Sequence, residues 1–263
     1  MKTVIIIPAR YASSRYPGKP LVGLRGPDGV VKSLIQRSWE AAMQVPDIAG
    51  VYVATDDDRI RDAAQAFGAE VIMTSDQCQN GTMRCADAME RAGLHADLIV
   101  NLQGDAPLTP PWFVTAMIEG MRKNPTAEVG TPVIRCDAET HAHFLADRRA
   151  GLVGGTTAVF DAGMRALYFS KEVIPYTNGP VREGPIPVFH HVGLYAYRPS
   201  ALAAYPTWEM GPLEANEGLE QLRFLENGRS ILCVEVDGRG RVFWELNNPV
   251  DVERIEGVLA KIG

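Results

Sequence analysis

Four short apolar runs, each followed by a helix-patterned stretch, confine the first half of this chain to one kind of architecture. Val4-Ile5-Ile6-Ile7, Val51-Tyr52-Val53-Ala54, Glu70 to Thr74 and Asp97 to Leu102 read as strands. Between and after them come amphipathic stretches with helix punctuation. Val31 to Met43 reads as a helix. Asp56-Asp57-Asp58 supplies an N-cap for a helix through Phe67, with Gly68 placed to close it. Asn80-Gly81-Thr82 caps a helix to about Arg91, and Thr109-Pro110 starts one with proline at its first position, running to about Met121. Strands alternating with helices predict an α/β fold, a mostly parallel sheet covered on both faces.

The second half changes character. Val129 to Ile134, Thr157 to Phe160, Ala166 to Phe169 and His191 to Tyr197 are strand-like, separated by loops such as Thr177-Asn178-Gly179-Pro180 and Gly184-Pro185-Ile186-Pro187. This predicts a smaller mixed or antiparallel lobe set against the sheet. Pro212 to Glu226 reads as a helix closed by Asn227-Gly228, Ile231 to Val236 as a strand, and a last helix starts at Pro249, capped by Asn248, and runs to Lys261.

Residues 8 to 19, Pro-Ala-Arg-Tyr-Ala-Ser-Ser-Arg-Tyr-Pro-Gly-Lys, follow the first strand and carry Arg10, Arg15 and Lys19 with no acidic residue. The whole chain is acidic, with 26 Lys and Arg against 32 Asp and Glu, so a purely cationic loop here asks for an anion. In open α/β sheets, ligands bind outside the carboxyl ends of the strands, which is where this loop falls. It is neither a Walker P-loop nor a Gly-x-Gly-x-x-Gly turn. Three long cations suit a triphosphate, although a solvated surface loop could carry the same residues.

Composition excludes several classes. Chain length, 263 residues with 46% hydrophobic content, is ample for a packed core. No apolar run approaches the ~18 residues of a membrane helix, and the N-terminus lacks a signal-peptide pattern. Cys78, Cys85, Cys136 and Cys233 are scattered without a Cys-x-x-Cys pair, as expected of reduced thiols in a cytoplasmic protein. A net charge of −6 and a pI near 5.4 argue against nucleic acid as a partner, and no membrane partner is expected.

Residues 6 to 21, Ile-Ile-Pro-Ala-Arg-Tyr-Ala-Ser-Ser-Arg-Tyr-Pro-Gly-Lys-Pro-Leu, resemble the opening of the CMP-Kdo synthetases (3-deoxy-manno-octulosonate cytidylyltransferases). Further blocks follow in that family's order. They are Val53-Ala54-Thr55-Asp56, Asn80-Gly81-Thr82-Met83-Arg84, Val100-Asn101-Leu102-Gln103-Gly104-Asp105 and Ala166-Leu167-Tyr168-Phe169-Ser170-Lys171. His191-Val192-Gly193-Leu194-Tyr195 and Pro212-Leu213-Glu214 leading into Leu219-Glu220-Gln221-Leu222-Arg223 complete the set. The resemblance covers nearly the whole chain.

It implies a Rossmann-like nucleotidyltransferase fold of the nucleotide-diphospho-sugar transferase type, one domain over 1–263. Residues 1–125 would form the nucleotide half, 126–230 an acceptor and dimerisation lobe, and 231–263 a C-terminal strand and helix. It further implies a homodimer that uses CTP, Mg²⁺ and a small anionic acceptor such as Kdo, releasing pyrophosphate and yielding a CMP-sugar for lipopolysaccharide biosynthesis. By resemblance, Arg10, Lys19 and Asp105 are catalytic. Ala9, Arg10, Arg15, Lys19, Asn80, Thr82 and Arg84 would bind nucleotide. Gln103, Lys171, His191, Tyr195, Glu220 and Gln221 would bind acceptor, and Asp105 and Asn247 the metal. Read without the resemblance, Asn80 and Thr82 also fit a plain helix cap, and a His or Tyr in a strand is more often core.

The chain departs from the family pattern at four points. Gly104-Asp105-Ala106-Pro107 replaces Gly-Asp-Glu-Pro, and Lys171 replaces an arginine that would clamp a carboxylate bidentately. Asn247 replaces an aspartate, and Met83 a glutamate. These changes raise two alternatives: a cytidylyltransferase for another sugar acid or a phosphonate, and a non-catalytic nucleotide-binding homologue. A different nucleotide, such as UTP, is a third.

Overall fold

A computed structural model describes residues 1–12, 16–153, 155–181, 184–240, 246 and 248–262. The chain opens with β1 (Thr3–Ala9), in which every residue is buried. A short hairpin, β2 (Gly23–Arg25) and β3 (Val31–Ser33), precedes α1 (Leu34–Met43). Then come β4 (Gly50–Thr55), α2 (Asp58–Ala66), β5 (Glu70–Met73), α3 (Gly81–Arg91), β6 (Leu98–Leu102) and α4 (Pro111–Lys123). The second half holds β7 (Val129–Arg135), α5 (Ala138–Arg149), β8 (Thr157–Phe160), β9 (Ala166–Ser170), β10 (Phe189–His191) and β11 (Leu194–Tyr197). It ends with α6 (Pro199–Ala204), α7 (Pro212–Glu217), α8 (Leu222–Glu226), β12 (Ile231–Glu235) and α9 (Asp251–Ile262).

Among the described residues, ten strands form one sheet in the order β5-β4-β1-β6-β11-β7-β10-β8-β9, with β12 also on β7. The β5-β4-β1-β6 half is parallel, as the strand–helix alternation predicts. The antiparallel strands continue this sheet across β11. Past them the sheet curls back, since Cys233 N donates to Met164 O at 2.8 Å and joins β12 to the turn before β9.

Several local expectations shift. Val31–Ser33 is strand, not helix, because the Ser33 hydroxyl accepts from Gln36 N and starts α1 there. Arg37 fixes the hairpin by donating to the carbonyls of Leu24 and Val30. α4 starts at Pro111, so Pro110 rather than Thr109 is the N-cap. The stretch Pro212–Glu226 is two helices, broken where Gly218 takes the left-handed conformation with φ 62°. The last helix begins at Asp251 rather than Pro249. The helix α5, capped by Asp137 through Thr140 N at 2.7 Å, lies where only loop was expected.

His191–Tyr197 is likewise not one strand. His191 pairs with Val133 and Ala196 with Gly130, so five steps along this segment match three along β7 and two residues bulge out. The bulge at Val192-Gly193 lets one chain segment change neighbours: β11 runs beside β6, whereas β10 runs beside β8. This joins the parallel half to the antiparallel half.

The two faces carry separate cores. One packs Ile5, Ile7, Val53, Val100, Phe113 and Met117 under α1, α2 and α4. The other packs Ile6, Cys85, Phe169, Tyr197, Tyr205 and Phe224 around α3 and the antiparallel strands. The alternation of Ile5 and Ile7 against Ile6 is the period of two that sends neighbouring side chains to opposite faces.

Gly104 ends the turn after β6, and a Cβ there would lie 2.8 Å from the Pro8 carbonyl oxygen. Gly104→Ala is expected to cost about 1–3 kcal/mol of stability by overpacking. Urea denaturation measures it, and an unchanged midpoint would remove the part given to this contact. His191, buried in β10, has its pKa pushed down to about 3, chiefly by burial and then by the neighbouring His190. Between pH 3 and 6.5 the unfolded chain therefore holds a proton that the folded chain does not. Stability should fall as pH drops through that window, by up to about 1.4 kcal/mol per pH unit from this group. His191→Gln should flatten that slope by about one proton in urea titrations at several pH values.

Candidate active site

The site lies at the carboxyl ends of the parallel strands. β1 ends at Ala9, 4% exposed, and hands the chain to Arg10, which stands in solvent with Nη1 3.5 Å from the Gln79 carbonyl. After β6, Gln103-Gly104-Asp105 turn back against β1. The close Gly104–Pro8 approach and the Ser38 hydroxyl, which donates to the Gly104 carbonyl at 3.2 Å, hold the turn there. Asp105 thereby meets Lys19, with Nζ 2.6 Å from Oδ2 and side chains only 14% and 28% exposed. Two of the three expected catalytic residues are thus in contact, and Arg10 leaves the neighbouring strand end.

Arg15 and Asn247 lie outside the described residues. Leu246, the chain neighbour of Asn247, donates its backbone N–H to the Asp105 carbonyl at 2.9 Å. This hydrogen bond brings the C-terminal segment to the Asp105 turn.

The amino end of α3 forms the floor between the two halves. Asn80 Oδ1 caps the helix through Met83 N at 2.9 Å, and its Nδ2 donates to the Tyr205 hydroxyl at 2.9 Å. Both ends of this side chain have internal partners. Arg84 is 2% exposed, with Nη1 2.5 Å from Thr74 Oγ1 and 3.2 Å from Asp56 Oδ1. Its charge braces the ends of β4 and β5 from beneath. Asp57, not Asp56, caps α2, which leaves Asp56 for Arg84.

Thr82 joins the halves. Its hydroxyl shares a 2.7 Å hydrogen bond with Tyr197 Oη, and its backbone N–H donates to Glu220 Oε2 at 3.0 Å. The other oxygen of Glu220 accepts from Gln103 Nε2 at 3.1 Å. Burial pushes the Glu220 pKa upward, against the pull of these donors. Next in sequence, Gln221 accepts from the Tyr195 hydroxyl at 3.0 Å, and its buried Nε2 has no hydrogen-bond partner among the described residues. Tyr195 also packs against His191, with ring centroids 5.6 Å apart. The remaining nitrogen contact of His191, Nε2 to Thr131 Oγ1 at 2.9 Å, keeps a neutral ring oriented. Of the six expected acceptor residues, Gln103 is thus hydrogen-bonded to Glu220 and Tyr195 to Gln221, with His191 packed against Tyr195. Lys171 follows β9, and its Nζ lies over Gly218, two residues before Glu220 in the chain.

Residues not singled out for a role also shape this surface. Asn101, fully buried on β6, has an unpartnered Oδ1 and donates weakly to Tyr197 Oη at 3.4 Å. Glu214 and Arg223 make a bidentate ion pair at 2.6 and 2.8 Å with both side chains almost fully buried. Glu217 accepts from Ser170 and Lys171. The signal available in the sequence was the position of Glu214 and Arg223 inside a quoted motif.

The arrangement offers cations at one end, a carboxylate beside them, and a deep polar floor at the other end. It can hold a polyanion against Arg10 and Lys19 while a hydroxylated partner rests on Gln103, Tyr195, Glu220 and Gln221. A cytidylyltransferase family model matches residues 4–231. The 3-deoxy-manno-octulosonate cytidylyltransferase of Maricaulis maris is 45% identical, covering 100% of this chain and 99% of that one. The Escherichia coli protein of the same name is 37% identical, over 99% and 97% of the two chains. Among solved structures, CMP:2-keto-3-deoxy-manno-octonic acid synthetase complexed with CTP superposes with a TM-score of 0.85 at 36% identity over all of both chains. Similar to these proteins over its whole length and in its fold, the chain belongs to the 3-deoxy-manno-octulosonate cytidylyltransferase family.

Proposed function

We propose that this protein transfers CMP from CTP to 3-deoxy-manno-octulosonate (Kdo) and releases pyrophosphate. The observation that carries this is the Lys19–Asp105 contact in the turn that also carries Gln103, which joins the Glu220–Thr82 network, at the same strand ends from which Arg10 leaves β1. Arg10 and Lys19, with Arg15 from the same loop, offset the β- and γ-phosphate charge and stabilise the departing pyrophosphate. Ala9, Asn80, Thr82 and Arg84 shape the nucleotide end. Arg84 does so from beneath, since its guanidinium is tied to Thr74 and Asp56. Gln103, Tyr195, Glu220 and Gln221 hold the acceptor so that its hydroxyl lines up with the α-phosphate. Lys171 meets the acceptor carboxylate, and His191 acts as a neutral, oriented ring behind Tyr195.

Asp105 suits a magnesium ion. Its carboxylate already faces a cation at 2.6 Å, and Mg²⁺ is commonly held by one or two carboxylates together with phosphate oxygens. Asn247, the second metal residue that the resemblance implies, would add a neutral oxygen. The metal would supply charge neutralisation between the phosphates. The relatives favour Kdo over another anionic acceptor or a non-catalytic role: Lys171 and Asn247 stand in a chain 45% identical to a protein named for that reaction.

A cytoplasmic homodimer completes the reading. Four buried free thiols fit a reducing compartment. No helix among the described residues is long and apolar enough to cross a membrane. Leu152, Val153, Leu167 and Tyr176, in the second half of the chain, are 52–86% exposed, apolar side chains that a second copy would cover.

Pyrophosphate release with CTP, Mg²⁺ and Kdo tests the reading directly; release only with another acid would overturn the acceptor. Lys19→Ala and Asp105→Ala should each lower kcat/KM by about 100-fold or more. Circular dichroism should stay unchanged, because both side chains are partly exposed. In a nucleotide panel, CTP at ~100 times its Kd should stabilise the protein by about 2.7 kcal/mol, and UTP at the same concentration by less. Light scattering of the wild type and Leu167→Glu would test the dimer, with dissociation expected in the variant.

A further inference from the structure

The short helix α7 carries two carboxylates one turn apart, and each grips a different part of the acceptor surface. Glu217 Oε1 accepts from the Ser170 hydroxyl at 2.6 Å and Oε2 from the Lys171 backbone N–H at 2.9 Å. Those two bonds hold the carboxyl end of β9, which aims the Lys171 side chain. The Tyr168 hydroxyl adds a longer contact at 3.5 Å.

Glu214 works on the other side. Its bidentate pair with Arg223 closes the chain around residues 218 to 221, which carry Glu220 and Gln221. Arg223 lies over the Tyr205 ring at 4.4 Å, and the Tyr205 hydroxyl donates to the Glu220 carbonyl at 3.0 Å. Glu226 fastens the start of α7, accepting from Leu213 N at 2.8 Å and Glu214 N at 3.1 Å. Gly218 provides the left-handed turn between α7 and this loop, with Lys171 Nζ directly over it.

A buried ion pair is a poor way to add stability, because apolar residues of similar size often do as well; its better-attested use is to fix register. Here the Glu214–Arg223 pair fixes the loop between α7 and α8, while Glu217 ties α7 to the end of β9, 46 residues away in the chain. We propose that α7 is the spacer that sets the distance between the two halves of the acceptor site. Glu217 positions Lys171, and the Glu214–Arg223 pair positions Glu220 and Gln221. None of these three residues is a catalytic group; each acts through a neighbour. The inference rests on the acceptor reading given above.

Steady-state kinetics of pyrophosphate release, varying Kdo at saturating CTP and then CTP at saturating Kdo, test it in the full chain with Mg²⁺. Glu217→Ala removes both acceptors and should raise the KM for Kdo by about tenfold or more, with the KM for CTP changed by less than about twofold. Glu217→Gln keeps one accepting oxygen and should recover part of that loss. Ser170→Ala should give a smaller shift in the same direction, and carries the test with Glu217→Gln if Glu217→Ala does not fold. An equal rise in both KM values, or an unchanged KM for Kdo in all these variants, overturns the spacer. Failure of the wild type with Kdo alone overturns the acceptor identity instead, and the KM split is then read with whichever acid it accepts. Turnover with no acid overturns both.

Discussion

The close approach of two strand ends organises this molecule. β1 and β6 run side by side and parallel, and Gly104 turns against the Pro8 carbonyl with no room for a side chain. That contact puts the residue after β1 and the carboxylate after β6 at one mouth. Parallel strands present all their carboxyl ends on one side, so charges from distant parts of the chain meet there. Lys19 and Asp105 are 86 residues apart and touch at 2.6 Å. Without the glycine, the turn carrying Asp105 would stand off from β1, and the cationic loop would lose its counter-charge.

The acceptor half depends on a second device, the bulge at Val192-Gly193. It turns a single segment from β8 toward β6, so that Tyr195 and Tyr197 face the amino end of α3 while His191 stays in the antiparallel core. Around it the polar groups are arranged as a network with few open ends. Glu220 is held by two donors from the nucleotide half, and Gln221 and Asn101 keep unpartnered polar atoms in the interior. Buried polar atoms without partners are costly, and their concentration at this surface is the mark of a site built for a ligand rather than for stability.

The parallel half was legible from residues alone. Val4–Ile7 and Val51–Ala54 are continuous apolar runs and Leu98–Leu102 is one broken only by Asn101, as strands inside a covered parallel sheet tend to be, and the Asp57 and Asn80 caps stand where hydrogen-bonding side chains predict helix starts. The second half was harder for physical reasons. The helix α5 has polar and apolar residues mixed around its circumference, so periodicity gave no signal. The α7 and α8 break depends on one left-handed glycine inside an otherwise helical pattern, and the β10–β11 bulge sits inside an unbroken strand-like run. A bulge changes pairing partners, and local sequence does not record partners.

The sequence by itself determined the chemistry available: a cationic loop after the first strand, a Gln-Gly-Asp turn after a buried run, and an acidic, cysteine-sparse composition. It did so because strand and cap preferences are local, and because the motif residues carry their own charge and hydrogen-bonding groups. Only the tertiary structure decided how those groups are used. It gave Asn80 and Arg84 internal partners, made Glu220 the link between the halves, and set Glu217 and Glu214 to work through Lys171 and Arg223. Those assignments depend on distances between segments far apart in the chain, which packing alone fixes.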